Sequence, residues 1–213
     1  AALSIDGRIE ERHALAPRQH AALILPMIES LLVEAGLGVA ELDACAFGCG
    51  PGSFTGVRIA ASVIQGIAFA VDLPVVPVST LAALAQGGMR ESGQANMLAA
   101  LDARKHEVYW GAYRQNGSGR PEPLGEERVC APADIDMPAG SDWVGVGSGW
   151  AAYGDVLAAQ AGDRLVRVMH DLEPRARDVA TIAVTDYQAG RTVAAADAIP
   201  VYLRNKVADE RKA

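Results

Sequence analysis

Phe47-Gly-Cys-Gly-Pro-Gly-Ser-Phe-Thr-Gly-Val-Arg-Ile-Ala60 carries four glycines and a proline between an apolar strand and a long helix of small residues. Backbone N–H groups at a helix N-terminus attract anions, so such a loop invites a phosphate-binding reading. A P-loop, however, needs a Gly-Lys-Ser/Thr end whose lysine reaches the outer phosphates, and no lysine precedes Lys105. A Gly-x-Gly-x-x-Gly dinucleotide turn would need a third glycine at position 53 or 55, where Ser53 and Thr55 stand. What the stretch does specify is a strand-to-helix turn, with Ser53 or Thr55 as N-cap candidates.

The flanking helices are unusual. Arg18–Ala35 reads as a helix closed by Gly36 and interrupted by Pro26, with Gln19, Glu29, Ser30 and Glu34 as its few polar positions. Its apolar residues wrap more than one face, the mark of a helix covered on two sides. Thr55–Val71 has a narrow polar strip at Thr55, Arg58, Ser62 and Gln65, and small residues at Ala60, Ala61, Gly66, Ala68 and Ala70. Small residues let helix backbones approach closely. From Arg18 to Val71 the charged residues are Arg18, Glu29, Glu34, Glu41, Asp43 and Arg58. We read these two helices as a protein–protein surface, against the alternative that both lie inside a larger core. Arg58 suits an anion, a partner carboxylate or plain solvation.

Strands and helices alternate along the chain, which specifies an α/β fold. Asp6-Gly7 predicts a hairpin turn between strands Ala2–Ile5 and Arg8–Ala14. Asp43–Gly48 and Leu73–Val78 read as buried strands, and Ser79 caps a helix over Thr80–Gln86, followed by a loop over Gly87–Ala95. Asn96–Asp102, Glu107–Arg114 and Trp143–Val146 read as strands, with a polar Gly/Pro-rich segment from Asn116-Gly117 to Glu127. Tyr153–Ala161 and Ala176–Ala189 read as helices, and Ile199–Arg204 as an extended piece. A boundary near residue 100 separates two lobes, 1–100 with the two apolar helices and 101–213.

Half of the 213 residues are hydrophobic, enough for a sizeable core, and the formal charge is −7. That balance argues against autonomous nucleic-acid binding, which needs a basic footprint. Cys45, Cys49 and Cys130 lack the spacing of a disulfide framework or zinc site and suit a reducing, cytoplasmic setting. No apolar run reads as a membrane span and no signal sequence opens the chain, which begins at Ala1. His13, His20, His106 and His170 form no helical metal pair, and Ser53 has Pro51 and Thr55 where a nucleophile elbow needs glycines. Arg104, Lys105 and His106 crowd one turn, a weak anion or RNA contact or simply a solvated turn. No constellation meets the geometric requirements of a catalytic centre.

Gly50-Pro-Gly-Ser-Phe-Thr-Gly-Val-Arg58 resembles the signature of the TsaB (YeaZ) family of tRNA threonylcarbamoyladenosine biosynthesis proteins. So do Leu15-Ala-Pro-Arg-Gln-His20 with Leu25-Pro-Met-Ile28, Leu73-Pro-Val-Val76 with Val78-Ser-Thr-Leu81, Leu101-Asp-Ala-Arg104 with Glu107-Val-Tyr-Trp110, and Pro200-Val-Tyr-Leu-Arg204. The likeness runs through essentially the whole chain in order. It implies a two-lobed fold of the actin-like, sugar-kinase and Hsp70 class with ribonuclease-H-like lobes. The family usually opens with a strand ending in an Asp-Thr-Ser-type turn. That strand is not found in this sequence, which opens inside the first hairpin; were it missing from the molecule too, the first sheet would expose an edge.

The resemblance further implies a non-catalytic subunit that dimerises with a TsaD-type catalytic subunit, or with itself, through first-lobe helices. A TsaE-type ATPase completes the system, tRNA is met only through the complex, and no membrane is involved. ATP and threonylcarbamoyl-adenylate are used by the complex, with no cofactor expected in the isolated chain. The His-x-x-x-His metal pair of TsaD has no counterpart here. On this basis the partner interface is assigned to Ala21, Ile24, Met27, Ile28, Leu31, Arg58, Ile59, Ser62, Val63, Gly66 and Ala70. The signature loop is Gly50, Pro51, Gly52, Ser53, Phe54, Thr55 and Gly56. The rival readings are an ATP-dependent kinase or transferase of the same fold class and a glycopeptidase-like hydrolase.

Overall fold

Asp6 and Gly7, both at positive φ, turn strand β1 (Ala2–Ile5) back into β2 (Arg8–Glu11) as the Asp-Gly pair predicts. In this computed structural model, which describes residues 1–16 and 19–204, helix α1 (His20–Ala35) follows and ends at left-handed Gly36. The helix runs through Pro26, and Arg18, its expected first residue, lies outside the described residues. Strand β3 (Cys45–Gly50), helix α2 (Phe54–Val71) and strand β4 (Val75–Ser79) form a β-α-β unit with parallel strands. The β1–β2 and β3–β4 pairs are separate two-stranded sheets.

Helix α3 (Thr80–Ser92) leads to the second sheet: β5 (Asn96–Arg104), β6 (Glu107–Gln115), β7 (Pro121–Pro123), β8 (Arg128–Cys130), β9 (Trp143–Val146) and β10 (Leu165–Met169). The order is β10-β9-β5-β6-β7, with β8 also on β6. Helices α4 (Ser148–Ala161) and α5 (Ala176–Gln188) complete the chain.

Period-two side-chain alternation explains how this sheet is covered on both faces. Leu98 and Ala100 of β5 join Val108, Trp110, Trp143, Trp150 and Leu157 on the α4 side. Met97 and Ala99 join Leu81, Leu84, Met89, Tyr113, Val144 and Val146 on the α3 side. In the first lobe Cys45, Phe47 and Cys49 pack with Ala61 and Ala68 of α2, while Val76 and Val78 pack with Ile182 and Ala183 of α5. Helix α5 touches β1, β2, β3 and β4 and so spans both strand pairs. Residue 100, near the expected boundary, lies inside β5, and residues 176–188 pack on the N-terminal strands.

Two helices are longer than their sequences suggest, for one reason. Gly87 and Gly88 read as helix breakers, yet α3 continues through both because their bare backbones admit neighbours. A Cβ at Gly88 would lie 2.7 Å from Met97 Sδ and 2.8 Å from Val146 Cγ1, and one at Gly87 2.9 Å from Asp178 Oδ2. Helix α4 likewise starts at Ser148 rather than Tyr153, because Gly149 lies against the β5 backbone, where a Cβ would sit 2.9 Å from Ala100 carbonyl carbon. Tyr153 instead marks a break within α4, with φ −136°. Strands β7, β8 and β10 were not anticipated. They are short or exposed, and their pairing partners supply what their own patterns lack.

Glu11 ties β2 to the N-terminus of α5. Arg175 donates to its carboxylate through Nε (3.3 Å) and Nη2 (2.6 Å), and the Arg177 N–H adds a bond of 3.2 Å. Burial pushes the Glu11 carboxyl up, but the Arg175 hydrogen bond and the Arg177 N–H outweigh it and leave it below its ordinary value. A depressed folded-state value stabilises above the unfolded carboxyl value of about 4.3, and that stability disappears as pH falls through the folded value. Glu11→Gln is therefore expected to melt below wild type at pH 7, with the gap closing at acid pH in calorimetric scans. Gly88→Ala is expected to lower stability by about 1–3 kcal/mol by overpacking, measured by urea unfolding, despite its better helix propensity.

Candidate interaction surface

Helix α2 begins where β3 ends, through the Gly50–Pro51 cis peptide and the turn that Ser53 caps. The Ser53 hydroxyl accepts the Gly56 N–H at 3.4 Å, which decides between the two cap candidates. One face of α2 points inward: Val57, Ala61 and Ala68 are buried, with Ile64 packed beside them. The opposite face is open. Arg58, Ser62, Gly66 and Ala70 are exposed, and Phe69 is 80% exposed. A Cβ at Gly66 would meet nothing within 4 Å, so among the described residues none uses the gap that glycine leaves.

Helix α1 adjoins this surface. Ala21 is exposed, Ile24, Met27 and Ile28 are half-buried, and Leu31 is buried at 4% exposure. Leu31 thus packs inward and is not available at the surface of the lobe. Ile59 and Val63 of α2 are half-buried. Among the residues that sequence reading did not select, Phe69, Leu25 (53% exposed) and Val33 (73%) present large apolar side chains. Phe69 stands three residues beyond Gly66 and was legible from helical spacing. Leu25 and Val33 were not, because an all-round apolar helix does not reveal which side the lobe covers. Helix α1 as a whole is less buried than its composition suggests, with Leu31 and Leu32 its buried residues. Helix α2 is also, by length and composition alone, apolar enough to cross a membrane, contrary to the expectation that no apolar run reads as a span.

The extended residues 199–204 cross the signature loop. The Val201 N–H donates to the Cys49 carbonyl at 2.7 Å. A Cβ at Gly50, which has φ 114°, would come within 2.6 Å of Val201 O, so only glycine fits beneath this crossing. Tyr202 lies beside Phe54 with ring centroids 6.1 Å apart, and Arg58 reaches both. Beyond them Arg204 pairs with Glu107 of β6.

At the joint between the lobes Glu127 accepts hydrogen bonds from the Ser79 and Tyr113 hydroxyls. Ser79 Oγ also accepts the Leu81 and Ala82 N–H groups at 3.1 and 3.3 Å, which commits it as the cap of α3. Sequence reading saw no nucleophile–base pairing; folding brings Ser79 to a carboxylate, but its lone pairs are already engaged. Burial, then the Glu127 charge, pushes the Tyr113 hydroxyl well above its usual range and the Cys49 thiol up to about 11. Burial also raises Cys45. None of these groups is poised as an anion at neutral pH. A polyphosphate fits this joint poorly, since it would meet the Glu127 carboxylate and a Gly50 already covered by Val201. Among the described residues no group of His, Cys, Asp and Glu could hold a metal. The Arg104–Lys105–His106 turn is exposed and left-handed at all three residues, with Arg104 held 3.0 Å from Asp102.

Two lobes, a β-α-β unit and a sheet covered on both faces place the chain in the two-lobed actin-like class with ribonuclease-H-like lobes. Residues 13–212 match the family described as TsaD: tRNA N6-adenosine threonylcarbamoyltransferase. The chain belongs to the TsaB (YeaZ) family within that group. It is 41% identical to the tRNA threonylcarbamoyladenosine biosynthesis protein TsaB of Escherichia coli (strain K12), over 97% of this chain and 90% of that protein. It is 38% identical to the TsaB of Haemophilus influenzae, over 97% and 89%. The structure of YeaZ from Pseudomonas aeruginosa superposes with a TM-score of 0.89 at 43% identity, covering 95% of this chain and 92% of that one.

Cys45 and Cys49 are buried and their thiols are raised. Both are expected to resist iodoacetamide at pH 7.5 in the folded protein and to react on unfolding, as followed by intact-mass measurement.

Proposed function

We propose that this chain is a non-catalytic partner subunit in the formation of N6-threonylcarbamoyladenosine beside the anticodon of tRNAs. It docks to a TsaD-type catalytic subunit through the outer faces of α1 and α2, and the same surface supports a homodimer. A TsaE-type ATPase and tRNA join through the complex, in the cytoplasm. ATP and threonylcarbamoyl-adenylate are handled by the other subunits, since Cys49, Ser79 and Tyr113 are buried or committed and Glu127 sets a carboxylate at the joint between the lobes.

The observation that carries this reading is the outer face of α2. Its inner face is packed on β3, while Gly66 opens on empty space beside an exposed Phe69. An apolar helix face of this kind, with small residues and few charges, is stable in water when another surface covers it. That also accounts for a span-like apolar helix whose other side belongs to a packed core. The relatives named above, as tRNA threonylcarbamoyladenosine biosynthesis proteins, supply the pathway.

Gly66→Leu adds a branched side chain where the isolated lobe has room. It is expected to leave the melting temperature within a few degrees of wild type but to abolish association with the TsaD-type subunit and the homodimer by light scattering. Reconstitution with the other subunits should form the modified nucleoside only when this chain is present. Full tRNA modification in its absence refutes the assignment.

A further inference from the structure

Arg58 is the only lysine or arginine between Arg18 and Arg90. Its guanidinium carbon lies 3.6 Å from the centroid of the Phe54 ring and 5.7 Å from that of Tyr202. Its Nε donates to the Tyr202 hydroxyl at 2.9 Å. Phe54 is one turn earlier on α2, and Tyr202 arrives from the segment anchored by the Val201–Cys49 bond. The plane is thus held by stacking on one side and by one hydrogen bond at the Nε edge.

Several arginines face carboxylates, as Arg90 does Asp178 and Arg175 does Glu11, while Arg114 and Arg164 spend their terminal nitrogens on backbone carbonyls. Among the described residues, none places a carboxylate on Arg58. Its two terminal nitrogens keep their donors, and Arg58, Phe54 and Tyr202 are all exposed. The charge also stands on the outer face of α2, in line with Ser62 and Gly66. An arginine immobilised in advance loses less freedom when a planar anion arrives, and its fork matches the two oxygens of a carboxylate.

We propose that Arg58, positioned by Phe54 and Tyr202, is a preformed receptor for a carboxylate side chain of the docking subunit and the charged hot spot of the α2 interface. The inference rests on the docking surface proposed above. An anion-receiving arginine near the N-terminal end of an apolar face supplies what such a face lacks, namely register and partner choice. Phe54 and Tyr202 are positioning residues, acting through the guanidinium.

The test is titration of the full-length chain against the TsaD-type subunit of the same organism at several salt concentrations, with circular dichroism confirming that each variant folds. Arg58→Ala is expected to weaken binding ~30-fold, as hot-spot truncations do, and to flatten its salt dependence. Arg58→Lys should lose most of that affinity, because a point charge cannot replace the fork. Phe54→Leu and Tyr202→Phe should each lose ~3–10-fold, chiefly through faster dissociation, while retaining the wild-type salt slope, and Phe54→Trp should restore the stacked arginine and the affinity.

Wild-type affinity for Arg58→Ala together with lost binding for Gly66→Leu overturns the receptor and leaves the docking face standing. Wild-type affinity for both removes the docking face and the receptor with it. Unchanged partner affinity in Arg58→Ala, with loss of Mg-ATP or inorganic phosphate binding by this chain, would mean that the fork takes a phosphate, and the proposal falls.

Discussion

The contact between Arg90 of α3 and Asp178 of α5 is the interaction on which the two-lobed arrangement depends. Nε and Nη2 donate to the two carboxylate oxygens at 2.9 and 3.0 Å, and Asp178 is 1% exposed. Charges so buried are tolerated only as well-paired partners, because removing one leaves the other desolvated and alone. Gly87 makes the pair possible, since any side chain there would enter the space of Oδ2. Helix α3 covers the second sheet and α5 covers the first-lobe strands, so this bidentate pair ties the two together beside the packing of Ala83 on Val78 and Ile182. Arg120 to Asp186 repeats the device along the joint, where Glu127 also accepts from the Ser79 and Tyr113 hydroxyls.

With α5 engaged on one side of the first lobe, α2 is left to cover β3 and β4 from the other. It does so with the narrow face of Val57, Ala61 and Ala68, small residues that bring the helix close to the strands. Among the described residues, Arg58, Ser62, Gly66, Phe69 and Ala70 of α2 stay exposed. Helix α1 lies alongside with Leu31 and Leu32 turned in and Leu25 and Val33 turned out. The lobe is thereby complete as a folded unit and incomplete as an apolar surface, the combination that a partner subunit requires.

The signature loop acquires its meaning from the same geometry. Gly50 lets residues 199–204 pass over the end of β3, and Ser53 starts the helix. That crossing delivers Tyr202 to Arg58 from 144 residues away in sequence. A motif that looks like a ligand loop is therefore a junction joining β3, α2 and the C-terminal segment.

Local chemistry decided much of this protein in advance. Asp6-Gly7 accepts positive φ, Ser53 and Ser79 offer capping oxygens, and Trp143–Val146 is a buried run, so the hairpin, two helix starts and β9 stand where the residues put them. The near-absence of charge on α1 and α2 marked them as apolar helices, and the order of motifs marked the family. Tertiary structure alone decided the rest, because those features depend on what arrives from elsewhere. Gly87, Gly88 and Gly149 look like breaks until Asp178, Met97 and Ala100 are seen to need the room. Leu31 and Leu25 are equivalent by composition, and only packing turned one in and the other out. The Arg58 clamp has no local signature, since residue type and spacing report on neighbours in sequence, whereas a stacked and hydrogen-bonded guanidinium is made by neighbours in space.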